Sequence, residues 1–289
     1  MRINPKRLKA EDLEKVQDSL KEFYLERPEN YGLMERPQSV YTEYANFIAK
    51  VVKNKDSKIL DLGSGSWRIP DTIAEYGFKE VIGLDYFSQE KLIEYSQQIK
   101  NKNAKLVSYI DDVIPFENEY FDAVSSLCVL EHIVFVEKFL KEIDRVLKPG
   151  GYVIILCPNW SGINAYITGF FHILTKKDRF WQLNNVFDAF FGIFRSLKWY
   201  FENLFSKEPK FILIQPRMKN SKIAFERSDD DAVHLCQPLS IKKFYKKLDY
   251  RVIYYNRGFG TTKYTYIFNR IFPSLASTNV LVFQKNKTP

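Results

Sequence analysis

Apolar positions along the chain follow two alternating spacings. Short apolar runs, such as 153–156, are typical of strands buried on both faces of a parallel sheet. The stretches between them repeat apolar residues every three or four positions, which predicts amphipathic helices. Strands are predicted near 58–62, 80–84, 105–109, 121–127 and 151–157, and helices near 67–76, 88–100 and 134–147. This alternation predicts an α/β fold with a doubly wound sheet.

The regions on either side of this alternation differ in character. Two further amphipathic helices, 11–24 and 39–52, precede the first strand, and a helix near 239–247 with strands near 250–255 and 279–284 ends the pattern. The connection after 158 is far longer than an ordinary loop, so we expect it to be functional or to form a subdomain. The predicted units are N-terminal helices (1–55), a sheet domain (56–158 and 236–289) and an inserted helical subdomain or lid (159–235).

The charge balance indicates an anionic partner. The chain has 43 Lys and Arg against 35 Asp and Glu, a net charge of +8. Nucleic acid, an anionic membrane surface or a phosphorylated substrate would each fit this charge, and so would a cytosolic protein that is simply rich in lysine.

Compartment and metal content follow from the cysteines and the apolar runs. Cys128, Cys157 and Cys236 form no CxxC pair, so no metal site is expected, and their odd number indicates a reducing compartment. The first ten residues lack the apolar region of a signal peptide. The longest apolar stretch, 162–174, is too short to span a bilayer. We therefore expect a cytoplasmic protein, with a peripheral position on the inner face of a membrane as the alternative.

Five short motifs follow one another in a fixed order. They are Lys58-Ile-Leu-Asp-Leu-Gly-Ser-Gly-Ser66, Val81-Ile-Gly-Leu-Asp85, Phe121-Asp-Ala-Val124, Leu130-Glu-His-Ile133 and Leu147-Lys-Pro-Gly-Gly151. The first motif predicts a strand, a glycine turn and a helix N-terminus, which can bind an anion or a close-fitting ligand. The acid that ends the second strand comes about 20 residues later, which is the spacing of a nucleoside-binding βαβ unit.

Together these motifs resemble the class I S-adenosylmethionine (SAM)-dependent methyltransferases, especially the small-molecule branch with Leu-Glu-His and Lys-Pro-Gly-Gly. The resemblance is good over 56–157 and loose over 237–285. It implies a Rossmann-like sheet, mostly parallel with an antiparallel last strand, and SAM as the cofactor, which leaves as S-adenosylhomocysteine. It also implies that the N-terminal helices (1–55) cover the substrate pocket.

The resemblance also implies a set of cofactor-binding residues. The family pattern is Asp-x-Gly-x-Gly-x-Gly, and Trp67 replaces its last glycine here. The loop would cradle the methionine part of SAM, the acid that ends the second strand would accept bonds from the ribose, and one of two acids after the third strand would lie near the adenine. The implied residues are Asp61, Gly63, Ser64, Gly65, Asp85, Tyr86, Asp111, Asp112 and Leu127.

Catalytic residues are harder to predict, because the methyl group of SAM is already activated and a base is optional. His132 and His234 are the candidate bases, and Asp122 is expected to be structural. The acids 229–231 could bind a metal together with a substrate, but a run of acids is usually a solvated loop.

The motifs also bear on the competing functions, an NAD enzyme and a nucleic-acid methyltransferase. An NAD enzyme is disfavoured because Arg68 occupies the third glycine of GxGxxG. The motif of amino-directed DNA methyltransferases is absent after the fourth strand, which disfavours nucleic acid without excluding RNA. Within the insertion, residues 160–205 interleave many aromatic residues with Lys and Arg. This composition suits peripheral contact with a membrane interface, a lid or plain packing, or the stacking of bases.

We therefore expect methyl transfer to a small-molecule acceptor, with a hydroxyl of a lipid- or glycan-linked biosynthetic intermediate as the favoured target. The alternatives are an RNA methyltransferase, which should bind RNA in a salt-dependent way, and a non-catalytic SAM-fold binding or scaffold protein, which would bind SAM without turnover.

Overall fold

The computed structural model describes residues 6–26, 36–109, 113–175, 183, 185–219, 222–223, 229–256 and 263–287. The strands within these ranges are β1 (Lys58–Leu62), β2 (Glu80–Asp85), β3 (Ala104–Ser108), β4 (Phe121–Leu127), β5 (Leu147–Pro158), β6 (Met218–Lys219), β7 (Lys222–Ile223), β8 (Tyr250–Tyr255) and β9 (Thr278–Lys285). The α-helices are α1 (Leu13–Glu26), α2 (Gln38–Val51), α3 (Arg68–Ala74), α4 (Gln89–Ser96), α5 (Val136–Val146), α6 (Ile163–Leu174), α7 (Val186–Leu204), α8 (Pro238–Lys247) and α9 (Lys263–Ile271).

Seven strands form one sheet in the order β3-β2-β1-β4-β5-β9-β8. The first five strands along the chain pair in parallel. Strand β9 lies between β5 and β8 and is antiparallel to both. The order reverses between β1 and β4, so a crevice opens at the carboxyl ends of these strands, where open α/β sheets bind ligands. The predicted fold class is confirmed.

Most predicted elements lie where the pattern placed them, with one clear difference at β5. This strand begins at Leu147, four residues earlier than predicted, because Phe121 already pairs with Leu147. Pro149 cannot continue a helix. A Cβ on Gly151 would lie 2.9 Å from the carbonyl oxygen of Asp122, so the strand passes close to β4 here.

Asp122 has a structural role, as expected. Its carboxylate accepts a hydrogen bond from the backbone N–H of Lys58 at 2.8 Å and from the Nζ of Lys148 at 2.9 Å. It therefore ties the start of β1 and the start of β5 to β4.

Both faces of the sheet are covered by apolar side chains. Helix α5 presents Val136, Leu140, Ile143 and Val146 to one face, and all four are buried. Helices α2 and α3 cover the other face. This is the doubly wound arrangement in which the strands are nearly continuous apolar runs.

The insertion contains a pair of helices, α6 and α7, which we call the hairpin (163–204). Gly192 of α7 lies against the ring of Tyr166 in α6, and the Oγ of Ser196 donates a 2.5 Å hydrogen bond to the carbonyl oxygen of Ser161. Because later residues of α7 meet earlier residues of α6, the two helices run antiparallel. Among the described residues, no helix is long and apolar enough to cross a membrane.

Candidate cofactor and acceptor site

The glycine loop that follows β1 approaches its neighbours closely. The N–H of Gly63 donates a 2.7 Å hydrogen bond to the carbonyl oxygen of Leu84, and the φ angles of Gly63 and Gly65 are 73° and 66°. A Cβ at Gly63 would lie 2.2 Å from Cγ2 of Val129. Only glycine suits this position, because both the backbone angle and the space exclude a side chain.

Asp85, at the end of β2, fastens this loop. Its Oδ2 accepts a 2.6 Å hydrogen bond from the N–H of Gly65, and its Oδ1 accepts a 2.7 Å bond from the N–H of Tyr86. These two bonds hold the carboxylate against the backbone of the loop. The acid predicted to bind the ribose therefore lies directly beside the loop.

Two tyrosines border the same edge of the sheet. The rings of Tyr86 and Tyr109 stack with centroids 4.7 Å apart and planes 14° from parallel. Tyr109 also donates its backbone N–H to the carbonyl oxygen of Asp85. Leu127 ends β4 and is half-buried. Asp111 and Asp112 lie outside the described residues, so the acid near the adenine stays a prediction.

Asp61, in the last part of β1, is buried with an incomplete set of partners. Its Oδ1 accepts hydrogen bonds from the Oγ of Ser125 at 3.0 Å and the hydroxyl of Tyr44 at 3.3 Å, whereas Oδ2 has none. Burial raises the pKa of Asp61 to about 7 against the opposing effect of these bonds. The buried hydroxyls of Ser64 and Ser126 also lack partners.

A second group of titratable residues begins just after β4. Glu131 is completely buried, and neither of its carboxylate oxygens has a hydrogen-bond partner. Burial raises the pKa of Glu131 to about 7, although the charge of His132 opposes that shift. Oε1 of Glu131 lies 3.8 Å from Nε2 of His132.

Asp231 and Tyr24 hold His132 from its other side. Nδ1 of His132 lies 3.1 Å from Oδ2 of Asp231, and the hydroxyl of Tyr24 donates a 2.5 Å hydrogen bond to the same oxygen. Burial would lower the pKa of His132, but the charge of Asp231 outweighs it and raises this pKa to about 10. The pKa of Asp231 is lowered, because His132 and Tyr24 together overcome its own burial. His132 is therefore a cation at neutral pH.

His234, the second candidate base, has the opposite electrostatics. It is fully buried, its Nδ1 lies 3.2 Å from the carbonyl oxygen of Leu130, and its Nε2 has no partner. Burial lowers the pKa of His234 to about 4, so its imidazole is neutral at pH 7. Its backbone N–H donates to the carbonyl oxygen of Glu131, so His234 is hydrogen-bonded to the residue that precedes the other candidate, His132.

The acidic run at 229–231 corrects one expectation. Asp230 and Asp231 are completely buried, so a solvated loop is the wrong description for them. The reason is local pairing, since Nη1 of Arg217 lies 3.6 Å from Oδ2 of Asp230 and His132 meets Asp231. Asp229 offers an oxygen that lies within 4.8 Å of ligand atoms on Glu131 and His132.

The cysteines that are distant in sequence are not all distant in space. Ligand atoms of Glu131, Cys157 and Cys236 lie within 4.8 Å of one another.

Backbone strain is found at three residues of this region. Cys128, Asp229 and Cys236 adopt φ angles of 56°, 61° and 49°, which are unfavourable for residues other than glycine. Backbone strain of this kind persists where the surroundings enforce it, and it concentrates at functional sites.

Three residues of this region were not among the candidates: Tyr24, Tyr44 and Glu131. Glu131 adjoins a predicted histidine in the Leu-Glu-His motif, so its buried position next to that histidine was within reach of the sequence. The tyrosines come from helices α1 and α2, and their contacts with Asp231 and Asp61 join parts of the chain that share no motif.

Comparison with known proteins identifies the central part of the chain. Residues 60–155 match the family model described as a methyltransferase domain. This stretch contains the glycine loop, Asp85 and the Glu131–His132 pair. The chain contains a class I SAM-dependent methyltransferase domain. The cofactor of the domain is SAM.

Curated relatives share this domain over part of their length. The chain is 31% identical over 108 residues to the mitochondrial ubiquinone biosynthesis O-methyltransferase of Dictyostelium discoideum, covering 34% of each protein. It is 36% identical over 106 residues to demethylmenaquinone methyltransferase of Staphylococcus aureus, covering 35% of this chain and 43% of that protein. The matched stretch thus spans less than half the length of either relative.

A solved structure shows that the fold likeness extends beyond the domain core. The 1,6-didemethyltoxoflavin-N1-methyltransferase of Burkholderia thailandensis, solved with 1,6-didemethyltoxoflavin and S-adenosylhomocysteine bound, superposes with a TM-score of 0.57 at 10% identity. The superposition covers 99% of this chain and 95% of that one. At this identity the likeness concerns the fold alone.

The residues of the methyltransferase domain fit SAM. The α-ammonium group of SAM is a cation, and Asp61 offers a buried carboxylate oxygen that lacks a partner. The ribose has hydroxyl donors, and the carboxylate of Asp85, an acceptor, lies beside the loop. The glycine at position 63 lets the loop pass close to Val129, where a side chain would clash.

Proposed function

We propose that this chain transfers the methyl group of SAM to a hydroxyl oxygen of a small molecule, and that this acceptor is a lipid- or glycan-linked biosynthetic intermediate. The observation that carries the cofactor half of the proposal is the unpartnered Oδ2 of Asp61 next to the glycine loop. A buried carboxylate without a counter-charge is costly, and a bound cation removes that cost.

The cofactor supplies a methyl group on a positively charged sulfur. The domain has to hold this group in line with the acceptor oxygen and exclude water. In our assignment Asp61 binds the α-ammonium group, Gly63, Ser64 and Gly65 form the cradle, and Asp85 accepts from the ribose. Tyr86 lies beside the adenine together with Leu127, and Asp111 or Asp112 would contact the adenine amino group.

We assign proton transfer to Glu131 and His132, the pair that follows β4. As the acceptor oxygen gains the methyl group, its O–H bond breaks and the proton passes to the carboxylate of Glu131. A pKa of about 7 leaves that carboxylate substantially ionised at neutral pH, which suits a general base. The neighbouring His132 is positively charged and stabilises the developing negative charge on the oxygen.

His234 remains the alternative base. Its imidazole is neutral at pH 7, so it can accept a proton, but a pKa of about 4 makes it a weak base. The comparison between Glu131→Gln and His234→Gln separates the two assignments. We expect Glu131→Gln to lower kcat at least tenfold with SAM affinity unchanged, and His234→Gln to leave kcat within about threefold.

The acceptor class is supported by the relatives. The names of the two curated relatives refer to ubiquinone biosynthesis and to demethylmenaquinone, and the first is an O-methyltransferase. A hydroxyl on a quinone-type ring is therefore the first acceptor to test. Such an oxygen ionises more readily than an alcohol, which fits a site that offers a carboxylate of pKa about 7 as its base.

The deciding experiment is calorimetric titration of SAM and S-adenosylhomocysteine into the wild type, Asp61→Asn and Asp85→Ala. Glu137→Ala is the matched control, because Glu137 makes only an exposed pair with Lys141 on α5. We expect binding by the wild type and the control, and binding at least tenfold weaker in both site variants. A folded wild type that does not bind SAM would contradict the proposal.

Turnover is then measured with labelled SAM on quinol-type, glycan-linked and RNA acceptors. Label in the quinol or glycan fraction supports the proposal. Label in RNA, with binding that weakens steeply as salt rises, would replace it with the RNA alternative. SAM binding without label in any fraction would favour the scaffold alternative.

A further inference from the structure

The hairpin turns a row of phenylalanines toward solvent. Phe187, Phe190, Phe191, Phe194 and Phe201 of α7 are each 43–59% exposed, and Phe205, just past the helix end, is 80% exposed. With 3.6 residues per turn, these six side chains and Lys198 fall within an arc of about 100°. We call these seven residues the phenylalanine face.

The opposite side of α7 packs into the protein and, apart from Trp199, consists of small or polar residues. The buried residues of this helix are Asp188, Ala189, Gly192, Ser196, Trp199 and Asn203. A helix of a water-soluble domain normally buries its large apolar residues and exposes its polar ones. Helix α7 does the reverse.

Specific contacts hold this orientation in place. Ser196 donates to the carbonyl oxygen of Ser161, and Nδ2 of Asn203 donates a 2.9 Å hydrogen bond to the carbonyl oxygen of Lys210. A Cβ on Gly192 would lie 2.0 Å from the ring of Tyr166, so this helix face approaches α6 as closely as a glycine allows. Rotation of α7 to bury the phenylalanines would break all three contacts.

Helix α6 repeats the pattern. It buries Ala165, Tyr166 and Gly169, and it exposes Ile167, Phe171 and Leu174, which share one helix face. The two helices therefore meet through small residues together with Tyr166 and Trp199, and they point a row of large apolar residues outward. Helices that lie in lipid pack in this way, because small residues allow close approach and the outer apolar residues meet acyl chains.

The hairpin is suited to lying on a bilayer rather than crossing it. Helix α7 has 19 residues, about 28 Å of helix, but it includes Asp188, Arg195, Lys198 and Glu202. Lys198 lies within the phenylalanine face and is 72% exposed, so its ammonium group can reach lipid phosphates while its stem lies among the rings. The whole chain carries a net charge of +8. This charge complements an anionic surface.

We propose that the phenylalanine face docks the protein on a membrane surface that contains anionic lipid. The outward rings enter the boundary between headgroups and acyl chains, and the cations remain at the level of the phosphates. The inference rests on the proposed function and deepens it, since docking would bring the enzyme to the bilayer where a lipid-linked acceptor resides.

The test is co-sedimentation of the full chain with phosphatidylcholine vesicles that contain phosphatidylglycerol, in the absence of SAM. We expect the wild type to sediment with these vesicles and to bind pure phosphatidylcholine vesicles less well. Phe190→Ser/Phe194→Ser should lower the partition coefficient roughly tenfold or more. Both side chains are exposed, so the fold should survive, which circular dichroism and SAM titration would verify.

Ile93→Ser is the matched control, because Ile93 on α4 is 58% exposed, as Phe194 is at 57%, but lies outside the hairpin. It should bind vesicles like the wild type. Wild type that stays in the supernatant, or a double variant that binds undiminished, would overturn the docking proposal. So would a stable dimer that the double variant converts to monomer without any vesicle binding, which would assign the face to a second copy. SAM binding in solution is measured separately, so either proposal can fail alone.

Discussion

The cofactor edge of the sheet and the phenylalanine face of the hairpin depart from ordinary packing in opposite senses. At the cofactor edge, Asp61 and Glu131 are buried with carboxylate oxygens that have no hydrogen-bond partner. On the hairpin, rings such as Phe190 and Phe194 are exposed while Ser196 of the same helix is buried. The first region buries polar atoms, and the second exposes apolar atoms to water.

The difference indicates what each region lacks. A buried carboxylate is satisfied by a cation or a hydrogen-bond donor, so the cofactor edge fits a small charged ligand. An exposed row of rings is satisfied by apolar contact, so the hairpin fits a lipid surface. Both arrangements lower the stability of the isolated chain, which is the expected pattern at sites that bind something else.

Helix α5 provides the ordinary case against which both regions can be measured. Leu140 is fully buried between this helix and the sheet. We expect Leu140→Ala to lower the free energy of unfolding by about 2–5 kcal/mol, because it removes apolar contacts and leaves a cavity. Urea unfolding monitored by circular dichroism measures this loss. A loss below about 1 kcal/mol would mean that the core of the domain is less closely packed than the structure shows.

Asp61→Asn should raise the free energy of unfolding, whereas Leu140→Ala lowers it. A carboxyl whose pKa is raised in the folded state stabilises the fold fully below its unfolded pKa, about 4, and that contribution is lost as pH rises through about 7. Asparagine does not ionise. The variant should therefore match the wild type at pH 4 and exceed it at pH 8, by on the order of 2–4 kcal/mol.

Urea unfolding at both pH values, without SAM, checks the Asp61→Asn prediction. Glu131→Gln should give a similar gain over the same pH range, since the pKa of Glu131 is also raised to about 7. Equal stability of Asp61→Asn and wild type at pH 8 would show that the carboxylate finds a partner in solution. The gain in stability should coincide with a loss of SAM affinity, which would mark Asp61 as a functional group.

Gly63→Ala tests the cradle itself. The added Cβ would overlap Val129 and force an unfavourable φ, so we expect the SAM dissociation constant to rise about 100-fold or more, equivalent to about 2.7 kcal/mol. Gly77→Ala is the control, because Gly77 also has a positive φ, 79°, but a Cβ there would contact nothing within 4 Å. Calorimetry should show unchanged SAM affinity for Gly77→Ala. Equal losses in both variants would trace the effect to backbone strain alone.

Phe194→Ala should have the smallest effect on stability. Because the ring is largely exposed and packs little against the protein, the free energy of unfolding should change by less than about 0.5 kcal/mol. Thermal or urea unfolding side by side with Leu140→Ala gives the comparison directly. A loss of 2 kcal/mol or more would show that the phenylalanine face is covered by the protein itself in solution.

The parts of the fold that follow local rules were predictable from the sequence. Strands β1 and β4 have the predicted bounds, and the glycine loop that begins at Gly63 marks the end of β1. Asp85 was found from its spacing to the glycine loop, and the structure places it there by a hydrogen bond to Gly65. Helix α9 was not predicted, because it begins next to residues 257–262, where no clear periodicity marks its start.

The orientation of α7 and the partners of His132 could not be predicted in the same way. Periodicity shows which residues share a helix face, but not whether that face meets the protein or the solvent. The inward direction is set by Gly192 against Tyr166, a contact between two helices. Likewise Tyr24 and Asp231 are 207 residues apart, and only the tertiary structure brings them to one histidine.

The position of β9 has a consequence for the newly made protein. This strand is the last of the sheet to be synthesised, yet it lies between β5 and β8. About 120 residues separate the end of β5 from the start of β9, roughly 6–24 s of synthesis at ordinary ribosome speeds. During that interval β5 has an open edge, and β8 (Tyr250–Tyr255), once it is made near the end of the interval, has no neighbour to pair with until β9 follows. Open strand edges expose the nascent chain to aggregation. Chaperone dependence during translation should therefore end abruptly once residues 278–285 have emerged.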